Sequence, residues 1–332
     1  KAEFLQHYYD ANGIPLRTRL IAYITSMNKI GSIVPWAFNF FVKTPGVSQL
    51  IKRSVGFARE RSIPQLHKKT LKSWMKSYSK GLRNKIPQKS TVYLFNDEFT
   101  NYNDTEIGIK TIQLLTHLGY DVKIPGHIES GRTFLSKGLL RKAKKIANQN
   151  IDFLKEKIGP EKPLVGIEPS AILAFRDEYP DLATEDRLED AEKLAKSSFM
   201  LEEFLVKELE NGNLSADQFI TDTKKILLHG HCQQKAVAST DPLIKMLSIP
   251  VNFDVEEIPS GCCGMAGSFG YEKEHYDISM KIGEMVLFPA VRNAETETVI
   301  CAPGTSCRHQ IKDGTGKIAL HPAEVLYDAL IK

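Results

Sequence analysis

Two adjacent cysteines in a glycine-rich turn constrain the fold of this chain more than any other feature. Cys262 and Cys263 lie in residues 258–270, while Cys232 lies 30 residues before Cys262 and Cys307 lies 44 residues after Cys263. A soft metal ion or an iron–sulfur cluster needs about four thiolates from converging segments. Polar and glycine-rich flanks favour ligation over burial of each thiol as a small apolar side chain. Three distant loops are therefore predicted to meet at one metal site.

The neighbours of these cysteines are candidates for stabilising a bound group. The turn glycines, among them Gly264 and Gly267, allow a sharp bend and a close approach of backbone N–H groups to the sulfurs. The turn is expected to lead into a helix. Arg308 would supply positive charge, and His231 could donate a hydrogen bond to a sulfur or replace a thiolate. Other flanking candidates are Lys235, His229 and His309.

Three chemistries remain open for the four cysteines. They could hold a [4Fe–4S] cluster, or they could hold Zn²⁺ in a closed, redox-silent structural site. Alternatively, Cys262 or Cys263 could be the nucleophile of a thiol–disulfide enzyme, which would need an open cleft and a lowered thiol pKa. The fifth cysteine, Cys301, ends the apolar run 298–301 and is predicted to lie in the core.

The cysteine motifs resemble a known domain. Cys232, the triplet Cys262-Cys263-Gly264 and residues 304–308 are similar to the cysteine-rich CCG domain. That domain occurs in the iron–sulfur subunits of glycolate oxidase and D-lactate dehydrogenase and in the B subunit of heterodisulfide reductase. Over nearly its whole length, the chain resembles the C-terminal part of fused flavin and iron–sulfur oxidoreductases that act on D-2-hydroxy acids.

The resemblance implies an electron-transfer module. In such proteins, the segment similar to residues 1–9 follows a ferredoxin-like domain and a flavin domain, and neither is in this sequence. The implied cofactors are the [4Fe–4S] cluster here and FAD on the absent part. Electrons would leave a 2-hydroxy acid at the flavin and pass through this module to a quinone or a membrane-surface acceptor. The expected location is the cytoplasm, with association at the inner face of the membrane as an option.

Composition excludes several other classes of protein. Lys and Arg number 44 against 40 Asp and Glu, a balance of +4, and no long single-sign run or aromatic-interleaved basic stretch points to nucleic acid. Five cysteines clustered late in 332 residues argue for a reducing compartment. Neither a signal peptide nor a bilayer-spanning run is evident, and the start at Lys1 is typical of a fragment or processed chain.

The pattern of elements predicts an α/β fold in three parts. Residues 1–85 are predicted to be helical, with the apolar stretch 30–42 buried or in contact with another domain. Residues 86–215 alternate strands and helices and end in one long helix over 185–210, and residues 216–332 repeat the alternation. We interpret these as two tandem, duplicated, Rossmann-like parallel-sheet repeats of the CCG type.

The first repeat has lost its cysteines. A shift of 133 positions places Phe99 on Cys232 and residues 129–131 on residues 262–264. Glutamate and serine in those places cannot hold a cluster as thiolates do. The first repeat is therefore expected to be a scaffold. A residual pocket and a solvated loop cluster remain alternatives for Asn96, Asp97, Glu129 and Arg132.

Overall fold

The computed structural model describes residues 1–82 and 89–331, and every element named below lies in these ranges. The first part is helical, as predicted, and its breaks fall at glycine and proline positions or at a tight turn. Its helices are α1 (Ala2–Asn12), α2 (Leu16–Ala22), α3 (Ile24–Gly31), α4 (Pro35–Lys43), α5 (Val47–Val55) and α6 (Leu71–Leu82). An irregular segment, residues 56–70, connects α5 to α6.

Two parallel sheets follow, which confirms the predicted α/β class. The first sheet has the order β2-β1-β3-β4 and the second the order β6-β5-β7. The first sheet and its helices comprise β1 (Thr91–Leu94), α7 (Glu98–Tyr102), α8 (Thr105–His117), β2 (Asp121–Lys123), α9 (Arg132–Ser136), α10 (Leu140–Leu154), β3 (Leu164–Gly166), α11 (Pro169–Ile172), α12 (Glu178–Leu182), α13 (Leu188–Lys196), β4 (Ser198–Met200) and α14 (Leu201–Glu210).

The second sheet repeats the arrangement of the first three strands. It comprises β5 (Lys224–Leu228), α15 (Cys232–Val237), α16 (Asp241–Leu247), β6 (Phe253–Glu257), α17 (Tyr276–Met285), α18 (Leu287–Asn293), β7 (Val299–Cys301), α19 (Thr305–Thr315) and α20 (Pro322–Asp328). In both halves the first strand lies between the second and the third. This shared order supports the proposed duplication. The predicted boundary at residue 85 falls within 83–88, outside the described residues, as does Lys332.

The predicted long helix over 185–210 is wrong. Strand β4 interrupts it, and Phe199 pairs in parallel register with Val165 of β3. Ser198 and Met200 are buried on either side of Phe199, so this short stretch gains more by completing the sheet than by continuing a helix. Helices α9 and α10 are likewise separate, because Gly138 between them adopts a left-handed conformation with φ 74°.

One apolar core runs across both halves. Ile112 and Leu205 from the first half share a buried cluster with Ile226 and Leu326 from the second. Helix α8 packs on α20 and α14 packs on α16, so the two sheets are joined through their helices. This shared core fixes the first half against the site described below.

The apolar stretch 30–42 is largely exposed rather than buried. Ile33 and Trp36 have 78% and 77% of their surface accessible, and Ile30, Phe40 and Phe41 are also exposed. Helix α4 is apolar around most of its circumference and buries none of its residues completely, since one packed face cannot cover all of them. Burial within the described chain was therefore the wrong expectation, while contact with another domain stays a prediction. No helix within residues 1–82 or 89–331 has the length and apolarity needed to cross a bilayer.

Candidate metal centre

The second sheet brings its cysteines to one edge. Strand β5 lies in the middle and pairs in parallel with β6 and β7. The chain leaves β5 towards Cys232, β6 towards Cys262 and Cys263, and β7 towards Cys307. Because the carboxyl ends of parallel strands meet at the same edge, the three cysteine segments converge there.

Two of the four cysteines lie on helices rather than loops. Cys232 is the first residue of α15, and Cys307 is in the first turn of α19. The expectation of three loops was wrong at these positions because each strand turns into a helix after only a few residues. The glycine-rich turn also differs from expectation, since it ends in a single 3₁₀ turn, Phe269–Tyr271, before α17 begins.

The four thiols form a connected group. Cys262 contacts both Cys232 and Cys263 through its sulfur, and Cys263 in turn contacts Cys307. Cys263 and Cys307 are buried, whereas Cys232 and Cys262 are half-buried. His229 joins the inner end of the group, where one ligand atom each from His229, Cys263 and Cys307 lie within 4.8 Å of one another.

Contacts among the thiols lower the pKa of two of them. The pKa of Cys262 is lowered, first by the neighbouring thiols of Cys232 and Cys263, and the N–H groups of Gly264 and Ala266 add to the effect. Cys263 likewise lowers the pKa of Cys307, with the nearby His229 as a further cause. The thiols of Cys232 and Cys263 have raised pKa values.

Gly264 and Gly267 are required in the turn for different structural reasons. Gly264 has φ 98°, and a Cβ there would lie 2.3 Å from the carbonyl oxygen of Ser279. Its N–H donates to Cys262 Sγ over 3.3 Å. Gly267 also has a positive φ, but open space surrounds its Cα, so its requirement is conformational alone. A side chain at Gly264 would displace the backbone that points at a sulfur.

The flanking histidines have defined partners. His229 Nδ1 pairs with Ser260 Oγ at 2.7 Å, and its ring reaches the sulfur of Cys307. His231 caps α15, because its Nδ1 accepts the N–H of Gln233 at 3.2 Å. His229 is thus placed to donate to a sulfur or to ligate a metal, while the role of His231 at a bound group stays a prediction, since its ring also lies near Cys307.

The two predicted cations are engaged by other groups. Arg308 donates to the carbonyl oxygens of Ala302 and Pro303 and forms an ion pair with Asp104 at 2.5 Å. Lys235 donates to the Ser260 carbonyl oxygen and pairs with Glu257. A direct role for Arg308 at a bound group stays a prediction.

In the first half, the region that corresponds to the cysteine site contains buried hydrogen bonds instead. Glu98 accepts from the N–H and hydroxyl of Ser130, which aligns with Cys263. Asp97 caps α7, and burial raises its pKa to about 7. Arg132 forms an ion pair with Glu178, and it lines a cavity of about 10 Å³ together with Ser130. The other three residues of the suggested pocket, Asn96, Asp97 and Glu129, do not line this cavity.

A buried arginine from the N-terminal part supports the cysteine turn. Arg61, with 0% exposure, donates to the Gly270 carbonyl oxygen at 2.8 Å, to Gln310 Oε1 at 2.5 Å and to Ser279 Oγ at 2.8 Å. Residues 56–58 pair with residues 271–273 beside it. Sequence reasoning missed Arg61, because its partners are more than 200 positions away.

The residues present fit a soft metal or an iron–sulfur group. The sulfurs of Cys263 and Cys307 and the imidazole of His229 lie within 4.8 Å of one another, and Cys262 and Cys232 extend this group outwards. A backbone N–H points at Cys262 Sγ, and a Cβ on Gly304 would lie 3.3 Å from Cys307 Sγ. Such a set can bind iron in a cluster or zinc, since both prefer thiolate and imidazole ligands. Cys301 lies outside this group in the apolar core, which confirms its predicted position.

Curated relatives match almost the whole chain, although no family model matches it. The chain is 28% identical over 340 residues to D-2-hydroxyglutarate dehydrogenase of Escherichia coli, covering 99% of this chain and 32% of that protein. It is 25% identical over 326 residues to one subunit of the anaerobic glycerol-3-phosphate dehydrogenase of E. coli, covering 97% and 79%. It is 28% identical over 247 residues to lactate utilization protein A of Bacillus subtilis, covering 71% and 98%.

These similarities bear on the resemblance drawn from the cysteine motifs. The chain spans about a third of the length of the D-2-hydroxyglutarate dehydrogenases that it matches, whose substrate is a D-2-hydroxy acid. The predicted similarity to D-2-hydroxy-acid oxidoreductases is thereby confirmed, and it extends over nearly the entire chain.

Proposed function

We propose that this chain is the iron–sulfur electron-transfer part of a flavin-linked dehydrogenase acting on a D-2-hydroxy acid. Cys232, Cys262, Cys263 and Cys307 would hold a [4Fe–4S] cluster, which accepts and releases single electrons when bound. The observation that carries the proposal is the convergence of four thiols from three parallel strand ends. The functions named for the relatives, two dehydrogenases and a lactate utilization protein, support it.

The wider arrangement is also a proposal. Residues 1–85 would form the helical region, residues 86–215 the cysteine-free repeat and residues 216–332 the repeat that holds the cluster. The part of the D-2-hydroxyglutarate dehydrogenases that the chain does not match is long enough for the flavin and ferredoxin-like domains. A quinone or a membrane-surface acceptor would receive the electrons.

Zinc is the second candidate. One specific observation favours it, because His229, Cys263 and Cys307 form a buried mixed nitrogen–sulfur group typical of zinc ligands. In that case the site would stabilise the fold and an interaction surface without redox activity. A thiol–disulfide enzyme remains an alternative without added support.

Metal analysis of the chain purified without oxygen separates the first two candidates. We expect about four irons and four acid-labile sulfides per chain, with visible absorbance that dithionite bleaches. Cys263→Ser should lose the iron and the absorbance. Cys301→Ala is the matched control, because Cys301 is equally buried but lies in the apolar core, and it should keep both.

Two other outcomes would count against the proposed cluster or against its ligation by Cys263. About one zinc per chain without colour would replace the cluster by a structural site. Equal iron loss in Cys263→Ser and Cys301→Ala would show that general destabilisation, rather than ligation, explains the result. In a full-length protein, Cys263→Ser should stop turnover with the natural acceptor and leave reduction of the flavin by substrate intact.

A further inference from the structure

We infer that the cysteine-free first half positions the cluster ligand Cys307, through the carboxylates of Glu168 and Asp104. Both residues belong to the first half, and both contact Thr305 at the start of helix α19. Cys307 lies two residues further along this helix. The first half thus acts on the site without contributing a thiol.

Glu168 is the main contact. Its Oε2 accepts the backbone N–H of Thr305 at 2.9 Å, and its Oε1 accepts the hydroxyl of Ser170 at 2.8 Å. The residue is buried, with 5% exposure. The first N–H groups of a helix have no partner within it, so a buried helix start needs an external acceptor. Glu168 supplies that acceptor from 137 positions away.

Asp104 holds the same turn from a second direction. Its Oδ2 accepts from Thr305 Oγ at 2.6 Å and from Arg308 Nη2 at 2.5 Å. Arg308 in turn donates to the carbonyl oxygens of Ala302 and Pro303, which precede the helix. The segments on both sides of Cys307 are therefore fixed by charge-assisted hydrogen bonds.

The position of Cys307 leaves little freedom for its sulfur. A Cβ on Gly304 would lie 2.4 Å from the ring of His231 and 3.3 Å from Cys307 Sγ, so the backbone already approaches both closely. A small shift of the α19 start would move the sulfur away from Cys263 and His229. Groups that orient metal ligands in this way commonly affect metal retention as strongly as activity.

The alignment of the two repeats indicates how the contact between Glu168 and Thr305 arose. Glu168 lies in the segment that corresponds, after a three-residue insertion, to the loop leading to Cys307. The first half therefore uses the degenerate copy of a ligand loop to support the intact copy. A second contact across the halves, Arg132 Nη2 to Gln233 Oε1 at 3.1 Å, lies next to Cys232.

This inference rests on the proposed function, and its test is the rate of iron release to a chelator from the anaerobically purified 332-residue chain. Glu168→Ala should release iron about 10-fold faster than the unmodified chain, because removal of a group that orients a ligand has costs of this order. Glu168→Gln should restore slow release, since its amide oxygen can accept the same N–H. The EPR spectrum of the reduced Glu168→Ala chain should also differ from that of the unmodified chain.

Glu98→Ala is the matched control. Glu98 is an equally buried carboxylate of the first half, but its hydrogen bonds go to Ser130 in the same half. Glu98→Ala should lower the thermal midpoint and leave iron release per folded chain unchanged. If Glu168→Ala fails to fold, Asp104→Ala at a half-buried position tests the same turn and should also accelerate release.

Two results would overturn the inference. One is unchanged iron release and EPR in folded Glu168→Ala or Asp104→Ala, and the other is equal acceleration by Glu98→Ala. Absence of iron from the unmodified chain would instead refute the proposed cluster. If that chain holds zinc, the same variants are compared by zinc release, so the two failures remain distinguishable.

Discussion

Replacement of Arg61 tests how strongly the N-terminal part is joined to the cysteine turn. Arg61 makes three hydrogen bonds, to Gly270, Ser279 and Gln310, and all three partners lie in the second half. Each hydrogen bond to a charged group contributes about 1.5–3 kcal/mol, so three would reach about 5–9 kcal/mol before the guanidinium is dehydrated. Dehydration offsets part of this. Arg61 also forms a buried ion pair with Asp313 at 3.7 Å, and removing one partner of such a pair typically costs about 3–5 kcal/mol.

We therefore expect Arg61→Met to lower the free energy of unfolding by about 3–5 kcal/mol. Methionine keeps most of the apolar stem, so the loss would reflect the polar contacts. Urea-induced unfolding followed by circular dichroism measures it. Arg59→Met, at an exposed position two residues earlier, should change the free energy by no more than about 0.5 kcal/mol. A loss below about 1 kcal/mol for Arg61→Met would refute the reasoning, because it would fall short of even one such hydrogen bond.

Two further predictions concern a buried acid and the exposed apolar face. Burial raises the pKa of Glu202 from 4.5 to about 8. Between these values the unfolded chain has released a proton that the folded chain keeps, so stability should fall as pH rises, by up to about 1.4 kcal/mol per pH unit. Glu202→Gln should flatten that slope in urea unfolding measured from pH 5 to 8, and an unchanged slope would contradict the assignment. Trp36→Glu should reduce binding of an apolar fluorescent dye and leave the thermal midpoint unchanged, because Trp36 is 77% exposed. Trp74→Glu, at a ring stacked on Tyr78 beside the core, should lower the midpoint, and equal effects of both would argue against a free face at Trp36.

Sequence patterns predicted the parts of this protein that depend on local chemistry. Apolar runs bounded by turn residues located six of the strands, and the flanks of the cysteines separated the four site thiols from Cys301 in the core. The strand β4 was missed because Ser198, Phe199 and Met200 lie between helices with strongly helical composition. Only its pairing with β3 identifies it as a strand.

The supporting contacts of the site could not be predicted, because they join residues distant in sequence. Arg61 and Glu168 carry no local pattern that distinguishes them from other charged residues, and their partners lie 137 or more positions away. His229 and His231 are two residues apart and alike in their surroundings, yet one reaches a sulfur and the other caps a helix. Side-chain direction at the strand end decides this, and it is set by the fold as a whole.

The half-buried positions of Cys232 and Cys262 have a consequence for how the site is loaded. Cys263 and Cys307 are buried on the inner side, so an incoming ion or preassembled cluster meets Cys232 and Cys262 first. Strand β7 must already lie beside β5 before Cys307 is in place, and β7 is the last strand of the described chain. Under the proposed function, insertion would therefore follow closure of the second sheet and would proceed from its outer edge.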